Sequence, residues 1–195
     1  MLLSLRPPSC RLMRDRRGAA ATEFALLVPI MLVLFVGVTE IGQAIAISRK
    51  VTVTVRTVTD LVTQYAALSS TDMANLLGAS AQVIAPYPSG NLSIIVSEVT
   101  TNAKSKAKVT WSTALNGTAL KVGSAVTLPT GMSAPNVTLI WGQTTYNYTP
   151  VLGDKIIGKT VLSDQIFMNS RLCTQIAYDG TDSTVTSTNT SSCAK

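Results

Sequence analysis

From Phe24 to Val38 the chain runs without a single charge, interrupted only by Pro29 and Gly37 in an otherwise strongly apolar stretch. A run of this kind buries itself in lipid as a helix or serves as the core of a signal sequence. Taken with its flanks, from Ala19 to about Ile47, it exceeds the roughly 20 residues that a helix rising 1.5 Å per residue needs to cross the hydrocarbon core. A transmembrane helix over residues 19–47 is therefore the first expectation. Arg6, Arg11, Arg14, Arg16 and Arg17 against Asp15 place +4 of the net charge of +6 in residues 1–18, which leaves +2 for the rest. That basic flank is expected to stay in the cytoplasm.

Glu23 stands at the head of the run, where a carboxylate without a partner costs about 2.5 to 3.5 kcal/mol on insertion scales. It follows the basic pair Arg16-Arg17, Gly18 and the small residues Ala19-Ala20-Ala21-Thr22. It is read as a functional residue; the alternative is a side chain solvated at the headgroup level.

A glycine followed five residues later by glutamate is how the type IV prepilin superfamily marks its processing site. The wider stretch, Arg16-Arg17-Gly18 through Glu23-Phe24-Ala25-Leu26 with Pro29, Gly37, Glu40 and Gly42, resembles the TadE-like pseudopilins, minor components of the Tad (tight adherence) system that builds Flp pili. The likeness is strongest over residues 14–50; Asp60-Leu61-Val62 and Tyr146-Asn147-Tyr148-Thr149-Pro150 echo the family only loosely. The resemblance implies cleavage by a membrane prepilin peptidase between Gly18 and Ala19, and pairing of Glu23 with the N-terminal ammonium of a neighbouring subunit. Phe24, the next recognition position, stands where many Flp-type pilins have tyrosine, so a role needing that hydroxyl does not carry over. The implied partners are the peptidase, other Tad pilins or pseudopilins, inner-membrane Tad assembly components and the lipid bilayer. The implied place is the bacterial inner membrane, single-pass, with the C-terminal domain in the periplasm and incorporation into the extracellular pilus left open.

The chain contains no histidine, which removes the commonest general base and metal ligand. It has no glycine-rich phosphate loop, no Cys-x-x-Cys pair and no Gly-x-Ser-x-Gly turn. No catalytic residue, cofactor or metal is expected, and the protein reads as non-enzymatic. Lys104, Lys106 and Lys108 recur at period two, which marks a solvated strand face more often than a phosphate track, so nucleic acid is not an expected partner. Cys10 falls in the leader, whereas Cys173 and Cys193 fall beyond the helix, where export would let them oxidise to a bridge worth roughly 3 kcal/mol. Two free thiols are the alternative. Met13 offers a second start with a leader of only six residues.

Pro29 removes a helical hydrogen bond and is expected to kink or loosen the helix. Past Arg49-Lys50, Val51, Val55, Val58, Val62 and Tyr65 fall on one helical face, although Val51-Thr52-Val53-Thr54-Val55 also alternates like a strand. Helix is favoured, against the poor helix propensity of five threonines between 52 and 63. Ser69-Ser70-Thr71-Asp72 predicts a helix start, with a short helix from Met73 to Leu77. Pro86-Tyr87-Pro88-Ser89-Gly90 should end helical territory. Candidate strands then run over Leu92–Val99, Ala107–Trp111, Val137–Trp141, Thr144–Tyr148 and Ile166–Tyr178. Trp111, Trp141, Tyr146 and Tyr148 are expected in the core or in cross-strand pairs rather than on a ligand face.

The expectation is an α+β, pilin-like chain: a cytoplasmic leader over 1–18, a transmembrane helix over 19–47, a periplasmic helical region over 48–85 and a β-rich, antiparallel domain over 86–195. Two other readings remain: an exported soluble domain cut after Ala44-Ile45-Ala46, and an uncleaved single-pass anchor carrying a binding domain. Glu40 interrupts the approach to the Ala46 site, and the apolar run already reaches the upper length of a signal core.

Overall fold

The structure, a computed structural model, describes residues 17–150 and 158–179. The leader through Arg16, with Cys10 and Met13, lies outside the described residues, as do Cys193 and the Thr/Ser-rich tail.

One helix, α1 (Arg17–Thr63), takes up 47 residues and is about 70 Å long. It passes through Pro29 and through residue 47 without a break, so the apolar segment and the valine-striped segment are one rod. The stripe settles helix against strand: Val51, Val55, Val58 and Val62 are at most 1% exposed, whereas Val53, which alternation would have buried with them, is 50% exposed. Tyr65 is a correction, because the helix ends at Thr63 and the ring is exposed rather than extending the stripe. The threonines that weaken helix propensity are accommodated by bonding backwards. Thr54 Oγ1 donates to Lys50 O at 2.8 Å, Thr59 Oγ1 to Val55 O at 2.7 Å and Thr63 Oγ1 to Asp60 O at 2.7 Å. Each buried hydroxyl is thereby satisfied and the methyl packs as a valine would.

After the short strand β1 (Ala67–Leu68), helix α2 (Ser70–Ala81) begins at the expected serine and runs four residues past the expected end. Ser69 Oγ accepts from Asp72 N at 3.0 Å while the Asp72 carboxylate reaches back to Ser69 N, a complete capping box. The chain returns beside α1, where Lys50 Nζ donates to Val83 O at 3.2 Å, and 3₁₀ turns at Gln82–Ile84 and Ser89–Asn91 lead into the sheet.

The main sheet is antiparallel, with β2 (Leu92–Thr101), β3 (Ala107–Leu115), β4 (Ala125–Val126), β5 (Thr138–Tyr148) and β6 (Thr160–Asn169) in the order β4-β3-β2-β5-β6. The α+β class is as expected; several strand limits are not. The two strands expected at Val137–Trp141 and Thr144–Tyr148 are one continuous β5, since Gly142 does not end the pairing but continues it opposite Val96. The strand expected at Ile166–Tyr178 is displaced: β6 begins at Thr160, and beyond Asn169 the chain leaves the sheet to form β7 (Ala177–Tyr178), which pairs in parallel with β1.

One face of the sheet lies on α1. Ile94, Val96, Ile140 and Tyr146 pack with Ile47, Val51, Val58 and Val62 in a single core, each buried aliphatic side chain contributing roughly 1.5 to 3 kcal/mol. Gly142 permits the approach, because a Cβ there would lie 1.9 Å from Thr59 Oγ1. Trp111, Tyr146 and Tyr148 are buried as expected, and Trp141 stacks on Phe167 across β5 and β6 with centroids 5.2 Å apart.

Candidate functional site

The residues singled out by sequence do not gather into a pocket. Gly18 and Ala19 occupy the first turn of α1, exposed; Glu23 is exposed one turn further on, and Phe24 is 64% exposed. The motif is linear and accessible, the form a processing enzyme or a neighbouring helix can reach. Above it, Leu26, Leu27, Ile30, Met31, Leu32, Val33, Leu34, Phe35, Val38, Ile41 and Ile45 are all more than half exposed. Pro29 shares a shallow, wholly apolar recess with Ile30, Val33 and Leu34. A bare apolar surface of that extent calls for lipid or protein to cover it. By length and composition α1 can cross a membrane, a test that a signal sequence also passes.

The first buried residue along the described helix is Glu40, 3% exposed. Tyr148, at the end of β5, donates its phenol to Glu40 Oε2 at 2.6 Å. Burial first, and then the hydrogen bond and charge of Glu40, push the Tyr148 hydroxyl up to about 12. The phenol thus remains a donor through the physiological range and ties sheet to helix where the sheet begins. Glu23 and Glu40 stand about 26 Å apart along the helix axis, close to the roughly 30 Å of a hydrocarbon core.

A second buried carboxylate escaped the sequence reading. Glu98, 1% exposed in the middle of β2, accepts a hydrogen bond from Ile176 N at 2.8 Å, and Trp111 Nε1 donates to Ile176 O at 3.0 Å. The backbone N–H and C=O of one residue in the C-terminal segment, Ile176, are therefore both held from the sheet. Burial raises the Glu98 carboxyl to about 7, offset in part by the Ile176 amide and Trp111. The available signal was a lone acid inside Ile94-Ile95-Val96-Ser97-Glu98-Val99, the period-two position that faces the core. The same segment is anchored by the Arg171–Asp60 ion pair and by Asp179 Oδ1, which accepts from Ser70 N at 2.7 Å. Cys173 is buried there and disulfide-bonded; Cys193, its expected partner, lies outside the described residues. Among the described residues no group of three or more His, Cys, Asp or Glu side chains is placed to hold a metal ion.

The family model described as TadE-like protein matches residues 18–60. Over these residues the chain is similar to the TadE-like family. The match opens on Gly18 and closes on Asp60, one turn before α1 ends, so the TadE-like part is the helix itself, with Glu23, Pro29, Glu40 and the valine stripe as far as Val58. The sheet that the TadE-like helix carries lies beyond the match, and no curated protein and no solved structure matches the chain.

Proposed function

We propose that this chain is a minor pilin or pseudopilin, a non-enzymatic subunit in biogenesis of the Tad/Flp pili that serve surface adherence. The observation that carries the reading is the TadE-like match that begins at Gly18, on a helix whose accessible first turns hold Glu23 five residues on. A prepilin peptidase cuts between Gly18 and Ala19, which removes the basic leader and frees an ammonium group. Glu23 pairs with the new ammonium of a neighbouring pilin or pseudopilin, so that two charges entering lipid neutralise each other. The bare apolar length of α1 lies in the bacterial inner membrane, and the sheet stands in the periplasm against the inner-membrane Tad components, from where the subunit can enter the pilus.

Retention of the helix is supported by its packing. A cut after Ala46 would sever α1 immediately before Ile47, a core residue 1% exposed, and would take Glu40 away from Tyr148. The deciding experiment is the N-terminus of the membrane-extracted protein, by intact mass and peptide sequencing, beside a Gly18→Val control. A start at Ala19 that the control abolishes is the expected result. A start at Ile47 would make the protein a soluble exported domain, and an uncut chain would leave a static anchor; either overturns the proposal.

A further inference from the structure

The hairpin between β2 and β3 has a feature that neither the packing nor the proposed assembly uses. Its tip is built around Asn102, whose Oδ1 accepts from Lys104 N and Lys106 N, each at 2.9 Å, while Asn102 N donates to Lys106 O at 3.0 Å. Ser105 takes φ 57°, the left-handed turn conformation that closes the loop. The turn is thus fixed by its own hydrogen bonds, and it presents Lys104, Lys106 and Lys108 exposed, with Lys121 also exposed on the segment that returns along β3. Between Val99 and Gly153 the chain has no aspartate or glutamate, and among the described residues no acid pairs with any of these four lysines. Lys106 and Lys108 lie about 7 Å apart along one side of the strand, within a Debye length, so they act on a ligand together.

The hairpin also stands at a particular end of the molecule. Thr101 N donates to Val137 O at 2.8 Å, at the start of β5, whereas Tyr148, at its other end, meets Glu40. The eleven residues of β5 put the lysines about 35 Å from that junction, away from the bare apolar length of α1.

We propose that this tip is a binding site for an anionic polysaccharide. A folded protein partner is disfavoured because the exposed tip residues, Asn102, Ala103, Lys104 and Lys106, supply no large apolar or aromatic anchor. Single-stranded nucleic acid is disfavoured because no aromatic ring is exposed beside the lysines for a base to stack on, Trp111 being 2% exposed. Ammonium groups on a narrow, hydroxyl- and amide-lined turn suit repeated carboxylates along a flexible sugar chain. Where such a glycan would be met rests on the export proposed above; the binding itself does not, so a purified protein tests it separately.

The test uses the full chain in a neutral detergent, with polygalacturonate as probe and dextran as its uncharged control. Expected is binding of polygalacturonate but not dextran. The triple variant Lys104→Gln, Lys106→Gln, Lys108→Gln should weaken it about tenfold and flatten its salt dependence. The triple arginine variant, which keeps the charge on the same turn, should retain binding. Equal affinity of the glutamine variant and the wild type would overturn the proposal. So would equal binding of dextran, or tighter binding of a single-stranded oligonucleotide or of phosphatidylglycerol vesicles at matched charge.

Discussion

Glu98 places a carboxyl group where the strand pattern calls for an aliphatic side chain, and the cost depends on pH. Its folded-state pKa of about 7 lies above the ordinary 4.5, so between those values the folded protein holds a proton that the unfolded chain releases. The resulting stabilisation is complete below about pH 4.5 and is lost as pH rises through about 7, amounting to about 3 kcal/mol over the window. Urea unfolding of the wild type should therefore show a midpoint that falls between pH 5 and pH 8. Glu98→Gln, which resembles the protonated acid and keeps an acceptor for Ile176 N, should remove most of that slope; an unchanged slope would mean that Glu98 is charged throughout. Glu23 is a different case. The role proposed for it belongs to a linear motif that can be read from the sequence, whereas Glu98 acquires its partner, Ile176, 78 residues away, and nothing local marks it.

Among the elements, α1 was legible nearly end to end, because apolar composition below residue 47 and a 3–4 valine period above it both specify a helix. The start of α2 was equally legible, since Ser69 and Asp72 form a capping box from four consecutive residues. The strands were less so. Gly142 suggested a break between two strands, yet α1 lies against it there, and only the facing Thr59 and Val55 explain the missing side chain. Gly142→Ala should therefore cost about 1 to 3 kcal/mol through overpacking rather than through backbone conformation. Adding Thr59→Ala should recover part of it, and a double-mutant cycle by chemical denaturation measures the coupling. Additive effects would place the clash elsewhere. The end of β6 differs from expectation for a similar reason: Leu172 and Ile176 stand among polar residues as in a strand, but the backbone of Arg171 and Ile176 is claimed by Thr63, Glu98 and Trp111 instead of by a neighbouring strand.

At the scale of the whole molecule the sheet and the upper half of α1 form one body, and the lower half of α1 emerges from it bare. The dividing level is Glu40 and Tyr148. A chain beginning at Thr39 should then be soluble without detergent and unfold cooperatively. One beginning at Ser48 loses the Glu40 contact and the buried Ile47 and should be less stable by about 2 to 5 kcal/mol, read from thermal and urea unfolding. Aggregation of the longer fragment would show instead that Ile41 and Ile45 need cover. The sequence by itself determined the apolar helix, the α+β order of elements and the similarity of residues 18–60 to the TadE-like family, because each follows from composition or from spacings within a few residues. Only the tertiary structure decided where the helix leaves the sheet, why Gly142 must be small, what Glu98 holds and how the hairpin lysines stand free of acids. Those depend on residues distant in the chain and adjacent in space, and the pairing energy that selects them exists only once the sheet has folded onto the helix.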